Sequence, residues 1–188
     1  HGQALGAASA STSVASGAVL DLNGQNVVGE SLSLAGSGIL TGGALVNSAT
    51  TSARWTGDVT LNSSQTGIGG AGAITIAGNV GGSGGLTKCG EGIVTLEGAN
   101  SYAGTLLINS GTVRVANPAA LPVGALQWNN SASSSTLDLV ASGSYTVASM
   151  TMGSNLKVTT SGTGGVTLVV PGDNTLGGSA SKTLMVTD

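Results

Sequence analysis

Along most of the chain, apolar residues come in pairs separated by a single polar or small residue. Leu20 and Leu22 bracket Asp21, and the same spacing joins Leu32 to Leu34, Val59 to Leu61, Ile74 to Ile76 and Val94 to Leu96. It recurs from Leu106 to Ile108, Val113 to Val115, Leu137 to Leu139 and Met150 to Met152. Successive side chains of an extended strand point to opposite sides, so each pair predicts a short strand with one buried face. No helical period competes with this alternation, because Gly, Thr, Ser, Val and Asn, all weak helix formers, fill nearly every window. Turn clusters separate the pairs: Asn23-Gly24, Gly42-Gly43, Gly69-Gly70, 81–85, Asn109-Ser110-Gly111 and Gly177-Gly178. Glycine and asparagine accept positive φ at little steric cost, so these clusters predict corners between short strands.

Short strands with tight corners fit either an antiparallel sandwich or a solenoid, and composition decides between them. The 188 residues include 33 Gly but no Phe, 2 Trp and 2 Tyr. A two-sheet sandwich usually fills its interior with aromatics, whereas a narrow solenoid is filled by stacked Leu, Ile, Val and Ala. The fold class expected is therefore all-β, a parallel β-helix (β-solenoid). At roughly 20–25 residues per coil it would have roughly eight coils, and at ~4.8 Å per coil a length of roughly 40 Å. The chain is read as a single β-helix segment, 1–188. Within it Leu5-Gly6, Leu20-Asp21-Leu22 and Leu32-Ser33-Leu34 recur in order as Leu121-Pro122, Leu137-Asp138-Leu139 and Met150-Thr151-Met152, at offsets of 116 to 118 residues. That spacing predicts one repeat module over 1–117 and part of a second over 118–188.

Charge narrows the function classes. The chain is 40% apolar, 7% charged, of net charge −3 and mean hydropathy +0.33, a balance that predicts folding rather than disorder. No apolar run approaches the ~18 residues that span a bilayer. Arg54, Lys88, Arg114, Lys157 and Lys182 stand singly, so nucleic acid and anionic lipid are not expected partners. Cys89 is the only cysteine, which excludes an intramolecular disulfide and a thiolate metal site within one chain. The sequence starts at His1 with no charged n-region or apolar h-region, and any signal peptide is expected to have been removed or to lie outside this sequence.

Candidate chemistry is sparse, and no catalytic, cofactor-binding or metal-binding residue is predicted. Glu91 and Glu97 invite comparison with a glycosidase acid/base pair, but six residues of strand would part them by roughly 20 Å; solvated turns are the expectation. Asp21 and Asp138, each between core leucines, are expected to share an outward structural position. β-Helical polysaccharide lyases hold calcium with clustered aspartates and use a basic residue to take a proton; here the 8 carboxylates are dispersed along the sequence. The run from Gly69 to Ile74 resembles a calcium-binding nonapeptide without its aspartate, and Lys182-Thr183 follows Gly177-Gly178 without the glycine a phosphate loop needs at Ser181. His1 has no second histidine to join it in a metal site. Cys89 is expected to be buried in a glycine corner and Tyr102 to cap a coil edge. Trp55 and Trp128 are expected to pack under loops rather than to present a sugar-binding face.

The stretch Gly85-Leu86-Thr87-Lys88-Cys89-Gly90-Glu91-Gly92-Ile93-Val94-Thr95-Leu96-Glu97-Gly98-Ala99-Asn100-Ser101-Tyr102-Ala103-Gly104, continued by Asn109-Ser110-Gly111-Thr112-Val113-Arg114-Val115, closely resembles the autotransporter-associated β-strand repeat. Upstream text such as Gly43-Ala44-Leu45-Val46-Asn47 and Trp55-Thr56-Gly57-Asp58-Val59-Thr60-Leu61 also looks like the coils that precede it, so the resemblance covers about residues 1–155. Two departures are Cys89, where the family has a small hydroxyl residue, and the loosely matching tail over 162–188. The resemblance implies a right-handed parallel β-helix at the bacterial cell surface, a non-catalytic stalk or adhesive passenger. It further implies export by an outer-membrane β-barrel translocator of the same polypeptide. A host or cell-surface receptor or glycan, or a second copy, is the further partner expected. A polysaccharide-binding or polysaccharide-cleaving β-helix and a self-associating module are the alternative expectations.

Overall fold

The computed structural model describes residue 5 and residues 10–122, 124–129, 135–152, 156–172, 174–176 and 186–187. The chain visits three faces in a fixed order, adding a strand to each as it winds. The first circuit contains Ser11–Val14 (β1), Leu20–Asp21 (β2) and Asn26–Val27 (β3), and the second Ser31–Leu34 (β4), Leu45–Asn47 (β5) and Ala53–Trp55 (β6). Val59–Leu61 (β7), Thr66–Gly70 (β8) and Ile74–Ile76 (β9) make the third, and Val80–Gly81 (β10), Leu86–Cys89 (β11) and Ile93–Leu96 (β12) the fourth. The next two circuits place strands on only two faces: Leu106–Ile108 (β13) and Gly111–Val115 (β14), then Leu126–Trp128 (β15) and Ser135–Leu139 (β16). Gly143–Thr146 (β17), Met150–Met152 (β18) and Leu156–Thr159 (β19) follow, then Val166–Val169 (β20), Asn174–Leu176 (β21) and Val186–Thr187 (β22).

A strand that meets its neighbour only after a full circuit runs in the same direction, so every pairing of these strands is parallel. The second face orders β2-β5-β8-β11-β13-β15-β18-β21 and the third β3-β6-β9-β12-β14-β16-β19-β22. Eight strands on each of these two faces are eight stacked coils separated by seven steps, a β-solenoid of about seven turns, in keeping with the roughly eight coils expected. The first face holds β1-β4-β7-β10 and, further along, β17-β20. Between them Ser101 N donates to Val80 O (2.8 Å) and Ala103 N to Gly82 O (3.1 Å). The face then passes a one-turn 3-10 segment, Pro118–Ala120, whose N-cap Asn117 accepts from Ala119 N at 3.0 Å. Proline at the start of that turn loses no hydrogen bond, since its missing N–H would be an orphan there.

Each inward position stacks on its counterpart one circuit away. Leu45, Ile68, Lys88, Ile108 and Trp128 form one inward column on the second face, and Val27, Trp55, Ile76, Leu96, Val115 and Leu139 one on the third. All four aromatics, Trp55, Tyr102, Trp128 and Tyr145, are buried in this core. The tryptophans are therefore not loop covers, because the register delivers both to inward columns.

The long-range repeat reads differently in three dimensions. Asp21 lies in β2 on the second face and Asp138 in β16 on the third, while Leu32 is on the first face and Met150 on the second. The expected equivalence of Asp21 and Asp138 thus fails: apolar-x-apolar alternation is the same on every face, so matching triplets do not identify one.

Candidate functional site

The richest local chemistry lies at the corner that follows β11. Leu86 and Lys88 stack in register with Leu106 and Ile108, which turns both inward. Thr87 and Cys89 point outward yet are also buried, because the 36–43 segment lies over this part of the second face. Gly67 N donates to Gly36 O (3.0 Å) and Ala44 N to Gly67 O (2.7 Å). Space there is so limited that a Cβ on Gly67 would sit 2.9 Å from Gly43 Cα and 3.3 Å from Cys89 Sγ. Burial pushes the Cys89 thiol pKa up, against the pull of Lys88, and holds it in the unreactive form.

Lys88, 1% exposed, is the unexpected member of the core. Its Nζ donates to Cys89 O (2.8 Å), Gly90 O (2.6 Å) and Ser110 O (3.2 Å). An ammonium has three donors and no acceptor, so three carbonyls match it. Burial pushes its pKa down to about 8, partly countered by Cys89 and Glu91. The corner needs glycine where the chain turns: Gly90 has φ +67°, and a Cβ there would come within 2.5 Å of Gly70 O. Asn47 serves the same corner in an earlier circuit, where it is paired in register with Gly70. Its Nδ2 donates to Thr51 O and Ala73 O (both 2.8 Å), and its Oδ1 accepts from Gly24 N (2.8 Å) and Ala49 N (3.3 Å).

The corner that leads back to the first face is stitched by a staircase of Asx side chains. Asp58 Oδ1 accepts from Asn79 N (2.9 Å), and Asn79 Oδ1 from Ala99 N (2.9 Å). Asn100 Oδ1 accepts from Val80 N (2.8 Å) while its Nδ2 donates to Ala120 O (2.7 Å). Each bond ties one circuit to the next and satisfies backbone groups that a corner would otherwise orphan.

The carboxylates considered from sequence do not converge on one groove. Asp21 accepts from Ser48 Oγ (2.5 Å) and Asn23 N (2.9 Å). Glu91 is exposed at its corner, and Glu97 makes a two-pronged pair with Arg54 at 2.9 and 2.6 Å. Asp138 accepts from Arg114 Nε (2.8 Å), Ser161 Oγ (2.7 Å) and Thr159 Oγ1 (3.0 Å). Burial works against its charge, yet Ser161, Arg114 and Thr159 together hold its carboxyl below the usual range. Among the described residues no three His, Cys, Asp or Glu side chains form a group that could hold a metal ion. His1, Gly177-Gly178 and Lys182-Thr183 lie outside the described residues.

The first face differs from the others in charge. None of β1, β4, β7, β10, β17 or β20 carries a charged residue, and Ser11, Ser13, Ser31, Thr60 and Ser101 present exposed hydroxyls there. Where strands lapse, a shallow cavity of about 450 Å³ is lined by Asn100, Pro118, Leu121, Pro122, Ser144 and Thr146, again without charge. Tyr102, expected at a coil edge, is instead fully buried. Lys88 went unnoticed among the candidate residues, although its phase with Leu86 was a usable signal.

Comparison with known families matches residues 86–115, the stretch β11 to β14, to the passenger-associated-transport-repeat. Comparisons with curated proteins and with solved structures found no match.

Proposed function

We propose that this chain is a non-catalytic stalk segment of an autotransporter passenger, displayed at the bacterial cell surface and supporting adhesion. On this reading the polypeptide also carries, or is served by, an outer-membrane β-barrel translocator. The observation that carries it is the coincidence of a passenger-associated-transport-repeat over 86–115 with an uninterrupted parallel ladder on two faces. Stacked circuits transmit their order from neighbour to neighbour, which makes a rod stiff without a globular core. Such a rod can hold a recognition surface away from a membrane. Among the described residues the scattered carboxylates, each engaged with another circuit or exposed at a corner, support the non-catalytic part of the reading.

The test uses the full-length protein on intact cells. Ser101→Cys adds an exposed thiol, while Cys89 is buried and provides the background. Labelling by a membrane-impermeant maleimide on intact cells is expected; labelling only after lysis overturns surface display. Release of reducing ends from an acidic polysaccharide, lost in Asp138→Asn, would replace the stalk reading with the polysaccharide-cleaving one.

Self-association is a second reading, favoured by the uncharged, hydroxyl-bearing first face. Two such faces meet without burying charge. A concentration-dependent shift in size-exclusion elution, abolished by Thr60→Asp, is its expected signature.

A further inference from the structure

The column Ile68, Lys88, Ile108, Trp128 is built from partners 20 residues apart at every step. Its companion column, Thr66, Leu86, Leu106 and Leu126, keeps the same step. Apolar attraction is non-directional, so Leu106 and Ile108 would pack on β11 almost as well after the strand slides by two residues, which keeps every inward side chain inward. Sequence-similar parallel strands therefore carry a register problem that hydrophobic burial alone does not solve. A buried ammonium is different in kind, because it accepts burial only where acceptors are already aimed at it.

Lys88 finds two of its acceptors, Cys89 O and Gly90 O, in its own corner and the third, Ser110 O, in the circuit stacked on it. We infer that Lys88 is the register lock of this repeat: its ammonium is fully satisfied only when the circuit containing Ser110 is seated directly on β11. A slipped stack leaves the cation short of a carbonyl in an apolar interior. The lock acts through specificity more than through strength, since buried ions often contribute little net stability, and setting register is the best-attested use of a buried polar group. Its depressed pKa agrees, because the surroundings tolerate the charge rather than favour it. The titratable groups acting on it are Cys89, next in its strand, and Glu91, across the corner. β8, β12 and β13 carry no titratable residue, and Arg114 of β14 is engaged by Asp138.

The experiment compares the unaltered chain with Lys88→Met, which keeps an unbranched apolar stem and removes the charge. Both are unfolded in urea, refolded at pH 7, and followed by hydrogen exchange of the 106–115 peptide resolved by mass. The unaltered chain is expected to give one protected population. Lys88→Met is expected to split into at least two, with the native pattern reduced by roughly twofold or more, while its urea midpoint changes little. A single native pattern in Lys88→Met overturns the lock, and so does a split pattern in the unaltered chain. Should Lys88→Met fail to fold, the unaltered chain is refolded at pH 7 and pH 10, on either side of the lysine's pKa of about 8. A split population confined to pH 10 then supports the lock, and identical single populations overturn it.

Discussion

At the scale of single residues, the solenoid keeps polar groups inside only where the corner carbonyls or amides can use them. Lys88 and Asn47 show the rule from opposite sides. Asn47 is neutral and both donates and accepts, so it costs little to bury once its four partners are met. Lys88 brings a charge that three carbonyls only partly compensate, and its pKa of about 8 lies below the ordinary 10.5. The linkage has a definite sign. Between about pH 8 and 10.5 the unfolded chain holds the proton on this lysine while the folded chain has released it. Folding stability attributable to Lys88 therefore rises with pH across that window and is flat below it. Urea midpoints measured from pH 7 to 10.5 are expected to climb for the unaltered chain relative to Lys88→Met; parallel profiles would show that Lys88 does not titrate as its surroundings dictate.

At the scale of strands, circuits are joined by backbone ladders and also by side chains that reach across them, and, among the described residues, two ion pairs of the third face are of unequal weight. Arg54 and Glu97 remain 43% and 36% exposed and are screened by water. Asp138 is 5% exposed and takes bonds from β14, β19 and Ser161 beyond it. Asp138→Ala is thus expected to cost about 2 kcal/mol by leaving several donors unmet, and Arg54→Ala about 0.5 kcal/mol, both read from urea unfolding. The strands were legible in sequence at most places where two aliphatic residues hold the inward positions, as in Val94-Thr95-Leu96, though Val166-Thr167-Leu168 was passed over. They were missed where an inward position is held by another residue type: Asn47 in β5, Trp55 in β6, Lys88 in β11 and Trp128 in β15. Period-two alternation persists in all four, but a count of aliphatic pairs does not register it. The same blindness hid the polar corner, since Lys88 reads as surface charge until its phase with Leu86 is respected.

For the whole molecule, the sequence disclosed the architecture but not which face each strand joins. Circuit length varies from 19 residues between Leu96 and Val115 to 28 between Val27 and Trp55, so no single period carries Asp21 onto Asp138. What the stack demands instead is that inward and outward positions stay in phase from one circuit to the next. Leu106 pairs with Leu126 and Leu107 with Gln127, so removing 107–126 joins Leu106 to Gln127 without disturbing that phase. The shortened chain is expected to remain a β-solenoid with one rung fewer, and small-angle scattering should give a rod shorter by about 4.8 Å. Removing 107–125 instead places Leu126 directly after Leu106. Every downstream side chain is then displaced by one position, which turns core residues to solvent. That chain is expected to lose cooperative unfolding beyond the junction. Since the two deletions differ by a single leucine, equal outcomes would show that rung phase does not hold this rod together.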